Sequence, residues 1–86
     1  MIGVLRQGDD AGAVLAELLG RENGILKGKG GSMHLTSVEH GMMGSYAIIG
    51  AHLTIANGAA WSAQMRGTDQ VAVCFFGDGT TNIGAF

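Results

Sequence analysis

The residues best suited to chemistry lie near the end of the chain, where Gly77, Asp78 and Gly79 follow the apolar run "VAVCFF". A carboxylate between two glycines has two interpretations. It can be a turn residue or a helix N-cap, which is the common role of Asp in such a place. It can also bind a hard cation such as Mg²⁺, which takes oxygen ligands and holds substrate phosphates. Spacing alone leaves both interpretations open.

The elements around this turn predict how it is positioned. Residues 71–76 are apolar without the alternation of a half-exposed strand, which favours a central parallel strand. Thr80 or Thr81 can then cap a helix that begins near Asn82. The turn would lie at the carboxyl end of a strand, where open α/β sheets bind ligands. We therefore predict an α/β fold.

A first helix is predicted early in the chain, with Asp9 or Asp10 as its N-cap. Apolar residues then recur at helical spacing, at Ala11, Val14, Leu15, Leu18 and Leu19. Gly20 suits the left-handed position that follows a helix, and Glu17 falls on the polar side.

A glycine-rich loop follows, over residues 20–34. Such a loop is either disordered or functional, and something other than its own packing could hold it in place. Lys27 and Lys29 alternate with glycines, so the loop could expose backbone N–H groups to an anion. It lacks the Walker A order of Gly, Lys and Ser/Thr.

A second helix is predicted over residues 48–66, ending near Gly67. Gly50 and Gly58 would each cost about 1 kcal/mol relative to Ala inside it, so they need a reason such as close packing or a ligand at the helix start. The small residues from Gly50 to Ala60 also support a different hypothesis, a non-catalytic interaction module that self-associates through this helix.

Composition limits the possible functions. With 86 residues, 47% hydrophobic and 14% charged, the chain is at most one domain with a modest core, which indicates partner chains. A net charge of −2 with five Lys and Arg argues against nucleic-acid binding. We expect a cytoplasmic protein without a membrane segment, because there is no signal peptide and no apolar run of about 18 residues.

Three motifs, "GR..G..KGKGGSMH", "IIGAHL..A.GAA" and "VAVCFFGDGTTNIGAF", occur in this order. Together they resemble the alpha subunit of the thiamine-diphosphate-dependent 2-oxo acid dehydrogenases of the pyruvate and acetoin dehydrogenase type. The resemblance implies that residues 1–86 are a single, incomplete thiamine-diphosphate-binding domain, with a central parallel sheet flanked by helices and truncated at both ends. A transketolase-like thiamine-diphosphate enzyme is a further alternative, since Gly-Asp-Gly recurs in that superfamily.

The resemblance also implies a cofactor site of thiamine diphosphate and Mg²⁺. Asp78 would be the metal ligand, and Gly77, Gly79 and Thr80 would belong to the turn that admits the diphosphate. A second Mg²⁺ ligand, an Asn, would follow Phe86.

Two other positions gain roles from the same resemblance. Ala47 and Ile49 would offer backbone groups to the aminopyrimidine, and the Ile49 side chain would support the bent cofactor, with simple core packing as the alternative. His34 would lie near the active-site entrance as a catalytic candidate.

The implied reaction is decarboxylation of a pyruvate-like 2-oxo acid, or cleavage of acetoin, followed by acyl transfer to lipoyl. The implied partners are a beta subunit, a second alpha chain and a lipoyl-bearing acyltransferase component. The beta subunit would supply the Glu that activates the aminopyrimidine. We therefore expect the 86-residue chain alone to be inactive and to bind the cofactor negligibly.

Overall fold

The computed structural model describes residues 10–86. The chain divides into two compact units, Met1–Ala47 and Ile48–Phe86. No helix in the described part is long and apolar enough to cross a membrane. The prediction of one incomplete domain stays a prediction.

Four helical elements occur in the described residues. In chain order they are helix α1 (Ala11–Leu18), a 3₁₀ turn (Val38–His40), helix α2 (Ala51–Arg66) and a second 3₁₀ turn (Asp78–Asn82).

Helix α1 begins and ends as the sequence predicts. Asp10 Oδ2 accepts the Ala13 N–H at 3.0 Å, which satisfies one free donor at the helix start. Asp9, the other candidate cap, lies outside the described residues. Gly20 follows the helix at φ 68°, and the next residue's N–H reaches the Ala16 carbonyl at 2.9 Å, which closes a Schellman motif.

The core of the first unit centres on Val14 and Leu35, each 1% exposed. Ile25 and Met42 pack partly buried against this pair. Leu15 and Leu19, predicted on the buried face of α1, are more than half exposed, so that part of the prediction is wrong. The glycine-rich loop donates hydrogen bonds to Glu17, so the buried face of α1 carries Val14 and Glu17 instead of these two leucines.

Helix α2 begins at Ala51, later than predicted, because Gly50 has a φ of 86° that a helix cannot continue through. Gly50 is buried, and a Cβ there would overlap the Ile83 side chain. Close packing therefore explains this glycine, whereas Gly58 has no neighbour within 4 Å of a built Cβ. The predicted end at Gly67 is confirmed, with φ 67°.

The predicted strand over residues 71–76 has no pairing partner among residues 10–86. Its side chains are largely exposed, with Val71 at 83% and Phe75 at 89%. The β pairing in the described residues is an isolated antiparallel bridge between Ser37 and Met42. Because a sheet needs neighbouring strands, the α/β fold stays a prediction.

Candidate functional site

The Gly-Asp-Gly turn is held by its own main chain and by one hydroxyl group. The Thr80 N–H donates to the Gly77 carbonyl at 3.1 Å, and Thr81 Oγ1 donates to the Asp78 carbonyl at 2.8 Å. The helical turn begins at Asp78 itself, with Gly77 as its N-cap residue. The predicted start near Asn82 with a threonine cap is therefore wrong, because both threonines lie inside the turn.

The Asp78 carboxylate is exposed and has no hydrogen-bond or ion-pair partner among residues 10–86. It therefore does not act as a side-chain N-cap in this turn. A Cβ built at Gly77 or Gly79 would meet nothing within 4 Å, so there is open space on both sides of the aspartate. An exposed carboxylate next to bare backbone is a suitable donor for a cation that also carries phosphate oxygens.

No group of three His, Cys, Asp or Glu side chains that could hold a metal ion occurs in the described part of the chain. Asp78 would thus supply one carboxylate oxygen to a cation. Other ligands would have to be backbone oxygens, water, phosphate or residues outside this range, an arrangement that is usual for Mg²⁺.

Ala47 and Ile49 lie on either side of the division between the two units. The Ile49 side chain is 61% exposed, so residues 10–86 do not bury it in a core. Neither residue makes a backbone hydrogen bond within the described residues. Their backbone groups are therefore available to a ligand.

His34 lies in the first unit with its side chain exposed. Its Nδ1 is 3.2 Å from the Ser45 carbonyl oxygen. A carbonyl oxygen can only accept, so Nδ1 donates, and in the neutral ring Nε2 is the unprotonated nitrogen. The Thr36 hydroxyl donates to the His34 carbonyl at 3.0 Å and restrains the backbone.

Among the described residues of the first unit, the side chain with the most hydrogen bonds is one that the sequence did not single out. Glu17 is fully buried, which contradicts its predicted place on the polar side of α1. Its carboxylate accepts four backbone N–H groups of the glycine-rich loop. Oε2 accepts from Leu26 at 3.0 Å and Gly28 at 2.6 Å, and Oε1 accepts from Gly30 at 2.7 Å and Gly31 at 3.2 Å.

These donors decide the ionisation of Glu17. Burial by itself raises the pKa of the carboxyl, and the hydrogen bonds from the loop, led by Gly30 and Gly28, lower it by more. The net pKa lies below the ordinary value for Glu, so Glu17 is a buried carboxylate at neutral pH. The loop does present N–H groups to an anion, as the sequence predicted, but the anion is the protein's own side chain.

A signal for this arrangement does exist in the sequence, although it is weak. The short helix α1 has one acidic residue, Glu17, in its last turn, and a glycine-rich run follows it. The backbone N–H groups of that run need hydrogen-bond acceptors. The donors lie 9 to 14 residues later, so no helical or strand periodicity connects them to the acceptor.

Comparison with known proteins identifies relatives over nearly the whole chain. The chain is 44% identical to the alpha subunit of acetoin:2,6-dichlorophenolindophenol oxidoreductase of Bacillus subtilis, over 95% of this chain and 25% of that protein. It is 45% identical to the chloroplastic pyruvate dehydrogenase E1 component subunit alpha-3 of Arabidopsis thaliana, over 99% of this chain and 21% of that protein.

A third relative is the pyruvate dehydrogenase E1 component subunit alpha of Rhizobium meliloti, 44% identical over 94% of this chain and 23% of that protein. The chain thus spans about a quarter of the length of these curated relatives. No solved structure gives a significant match.

The family profile described as dehydrogenase E1 component matches residues 1–86. The three motifs that carried the resemblance all lie inside this match. The chain belongs to the dehydrogenase E1 component family.

Proposed function

We propose that this chain is part of the alpha subunit of a thiamine-diphosphate-dependent 2-oxo acid dehydrogenase. The observation that carries the proposal is the exposed, unpartnered Asp78 carboxylate in an open glycine turn, within a chain that matches the E1 family throughout. The family match does not favour the transketolase-like alternative. We keep the α/β fold, the cytoplasmic location and a single incomplete domain as part of the same proposal.

The residues of the second unit would hold the cofactor. Asp78 would bind Mg²⁺ through one carboxylate oxygen, and Gly77 and Gly79 would leave room for the diphosphate. Thr80, 4% exposed, would keep the turn in shape through the bond of its N–H to the Gly77 carbonyl. Ile49 would present its exposed side chain to the bound cofactor.

The first unit would contribute a backbone group and a titratable side chain. Ala47 would offer its unbonded backbone to the aminopyrimidine. His34 would act near the site entrance through Nε2, the nitrogen that the Ser45 contact leaves unprotonated. The bound thiamine diphosphate supplies the electron sink for the oxo-acid chemistry.

The relatives' names include acetoin oxidoreductase and pyruvate dehydrogenase subunits, so we propose one of these two substrates or a related 2-oxo acid. The partners we propose are a beta subunit, a second alpha chain and a lipoyl-bearing acyltransferase component. The exposed apolar side chains of α2 and of residues 71–76 agree with burial against such chains.

The test is reconstitution of the protein with a beta subunit. Reduction of an artificial electron acceptor would be measured with pyruvate and with acetoin, with and without thiamine diphosphate and Mg²⁺. We expect turnover with one of the substrates only when the beta subunit, cofactor and metal are all present. An assembled complex that binds no thiamine diphosphate would contradict the proposal.

One observation favours the second candidate, a self-associating interaction module. Trp61 and Met65 lie one turn apart on α2 and are 66% and 75% exposed, and Gly58 offers space for close approach. Size-exclusion chromatography with and without the beta subunit separates the two functions. Assembly only with the beta subunit favours the catalytic subunit, and a stable homodimer without it favours the module.

A further inference from the structure

The glycine-rich loop is organised around one buried charge. Four N–H groups of residues 26–31 converge on the Glu17 carboxylate at 2.6 to 3.2 Å. No Lys, Arg or His in the described chain forms an ion pair with Glu17, so among residues 10–86 the backbone N–H groups compensate the buried charge. Charge-assisted bonds of this kind are stronger than neutral ones, and they hold the loop to α1.

The same loop leads directly to His34. Gly30 lies between the Glu17 carboxylate and the backbone of His34. A Cβ built at Gly30 is 3.3 Å from Glu17 Oε1 and 3.3 Å from the His34 carbonyl oxygen. The Gly31 N–H is the last donor to Glu17, and Leu35 is buried in the core against Val14. His34 is therefore exposed on a short segment that is anchored on both sides.

We propose that Glu17 is a positioning residue for His34. Its carboxylate holds residues 26–31 against α1, and this keeps His34 Nδ1 hydrogen-bonded to the Ser45 carbonyl oxygen. The Nε2 atom of His34 is then unprotonated and exposed. The consequence for catalysis rests on the proposed function, in which His34 acts near the active-site entrance. The positioning itself rests on contacts within the first unit.

The test is ¹⁵N NMR of the His34 ring and of the loop amides in the protein and in Glu17→Gln. A glutamine keeps the shape of the side chain, but its NH₂ faces two of the N–H donors and cannot accept from them. We expect the Gly30 and Gly31 amides to exchange at least about tenfold faster, and the His34 tautomer to shift away from protonated Nδ1. The matched control is Glu22→Gln, which removes an exposed carboxylate and should change neither signal.

A Glu17→Gln variant that keeps the wild-type His34 tautomer and amide protection would overturn the proposal. If this variant fails to fold, Gly30→Ala serves as the test of the proposal. It keeps the Glu17 carboxylate, but its Cβ would crowd the Leu26 side chain and the His34 carbonyl oxygen. A changed His34 tautomer with an intact Val14 and Leu35 core supports positioning through the loop. An unchanged tautomer contradicts it.

Chemical rescue distinguishes an anion-binding role from simple packing. In Glu17→Ala, added formate can occupy the position of the missing carboxylate and accept the loop N–H groups. We expect formate, but not chloride at equal ionic strength, to restore the His34 tautomer. An equal response to both salts, or no response to formate, counts against the proposal. None of these readouts needs cofactor or turnover, so they stand even if the proposed function fails.

Discussion

Glu17 Oε2 accepts the Gly28 N–H at 2.6 Å, across 11 positions of the sequence. Loop N–H groups that converge on one point form an anion-binding concavity of the kind that cradles phosphates in other proteins. Here a side chain from α1 fills the concavity, and Lys27 and Lys29 between the donors remain exposed. The loop is thus ordered by an internal anion rather than by a ligand.

This arrangement predicts a stability loss in acid. Because the pKa of Glu17 is lower in the folded protein, its contribution is complete above the unfolded-state value of about 4.5. The contribution disappears as the pH falls through the lower folded-state pKa. Urea unfolding of the wild type and Glu17→Gln should differ clearly at pH 7 and by less at pH 3. A difference that stays constant between these pH values would contradict the account, and Glu22→Gln serves as the control.

Two glycines of the loop should respond differently to alanine. Gly28 and Gly31 both have positive φ, 75° and 61°, so each substitution adds about 1–2 kcal/mol of backbone strain. A Cβ at Gly28 would also lie 2.6 Å from the Gly20 carbonyl oxygen, whereas one at Gly31 meets nothing within 4 Å. Denaturant titrations should show Gly28→Ala as the more destabilising change. Equal losses would mean that the loop does not pack against the helix end.

The second unit offers a similar comparison. Gly50→Ala should destabilise more than Gly67→Ala, because only the Gly50 Cβ meets the Ile83 side chain. Shortening that side chain should relieve the contact, so Ile83→Ala should cost less in the Gly50→Ala background than in the wild type. A double-mutant cycle measures this coupling, for which we expect about 0.5–3 kcal/mol. Additive effects would show that the two residues do not pack together.

Local signals predicted the ends of the helices well. The Asp10 cap, the left-handed Gly20 and the end at Gly67 follow from rules that act over a few residues. The burial of Glu17 could not be predicted in the same way. Its neighbours placed it on a polar face, and its partners lie in a loop without periodicity.

The turn that carries Asp78 was predicted in outline rather than in detail, and the roles of the site residues stay predictions. The position of Asp78 in a glycine turn is confirmed, but the helical turn starts four residues earlier than expected. Capping rules allow a helical turn to begin at several residues of "GDGTTN". The hydrogen bond from the Thr80 N–H to the Gly77 carbonyl corresponds to a turn that begins at Asp78. Residues 71–76 read as a buried strand, and the burial of a central strand depends on neighbours on both sides.

The central claim is that Asp78 binds Mg²⁺ and, through it, thiamine diphosphate. The direct measurement is calorimetric titration of thiamine diphosphate with and without Mg²⁺ into the protein assembled with its beta subunit. Asp78→Asn should weaken Mg²⁺-dependent binding by at least about tenfold, while the exposed control Asp69→Asn should bind as the wild type does. Wild-type affinity and Mg²⁺ dependence in Asp78→Asn would contradict the claim.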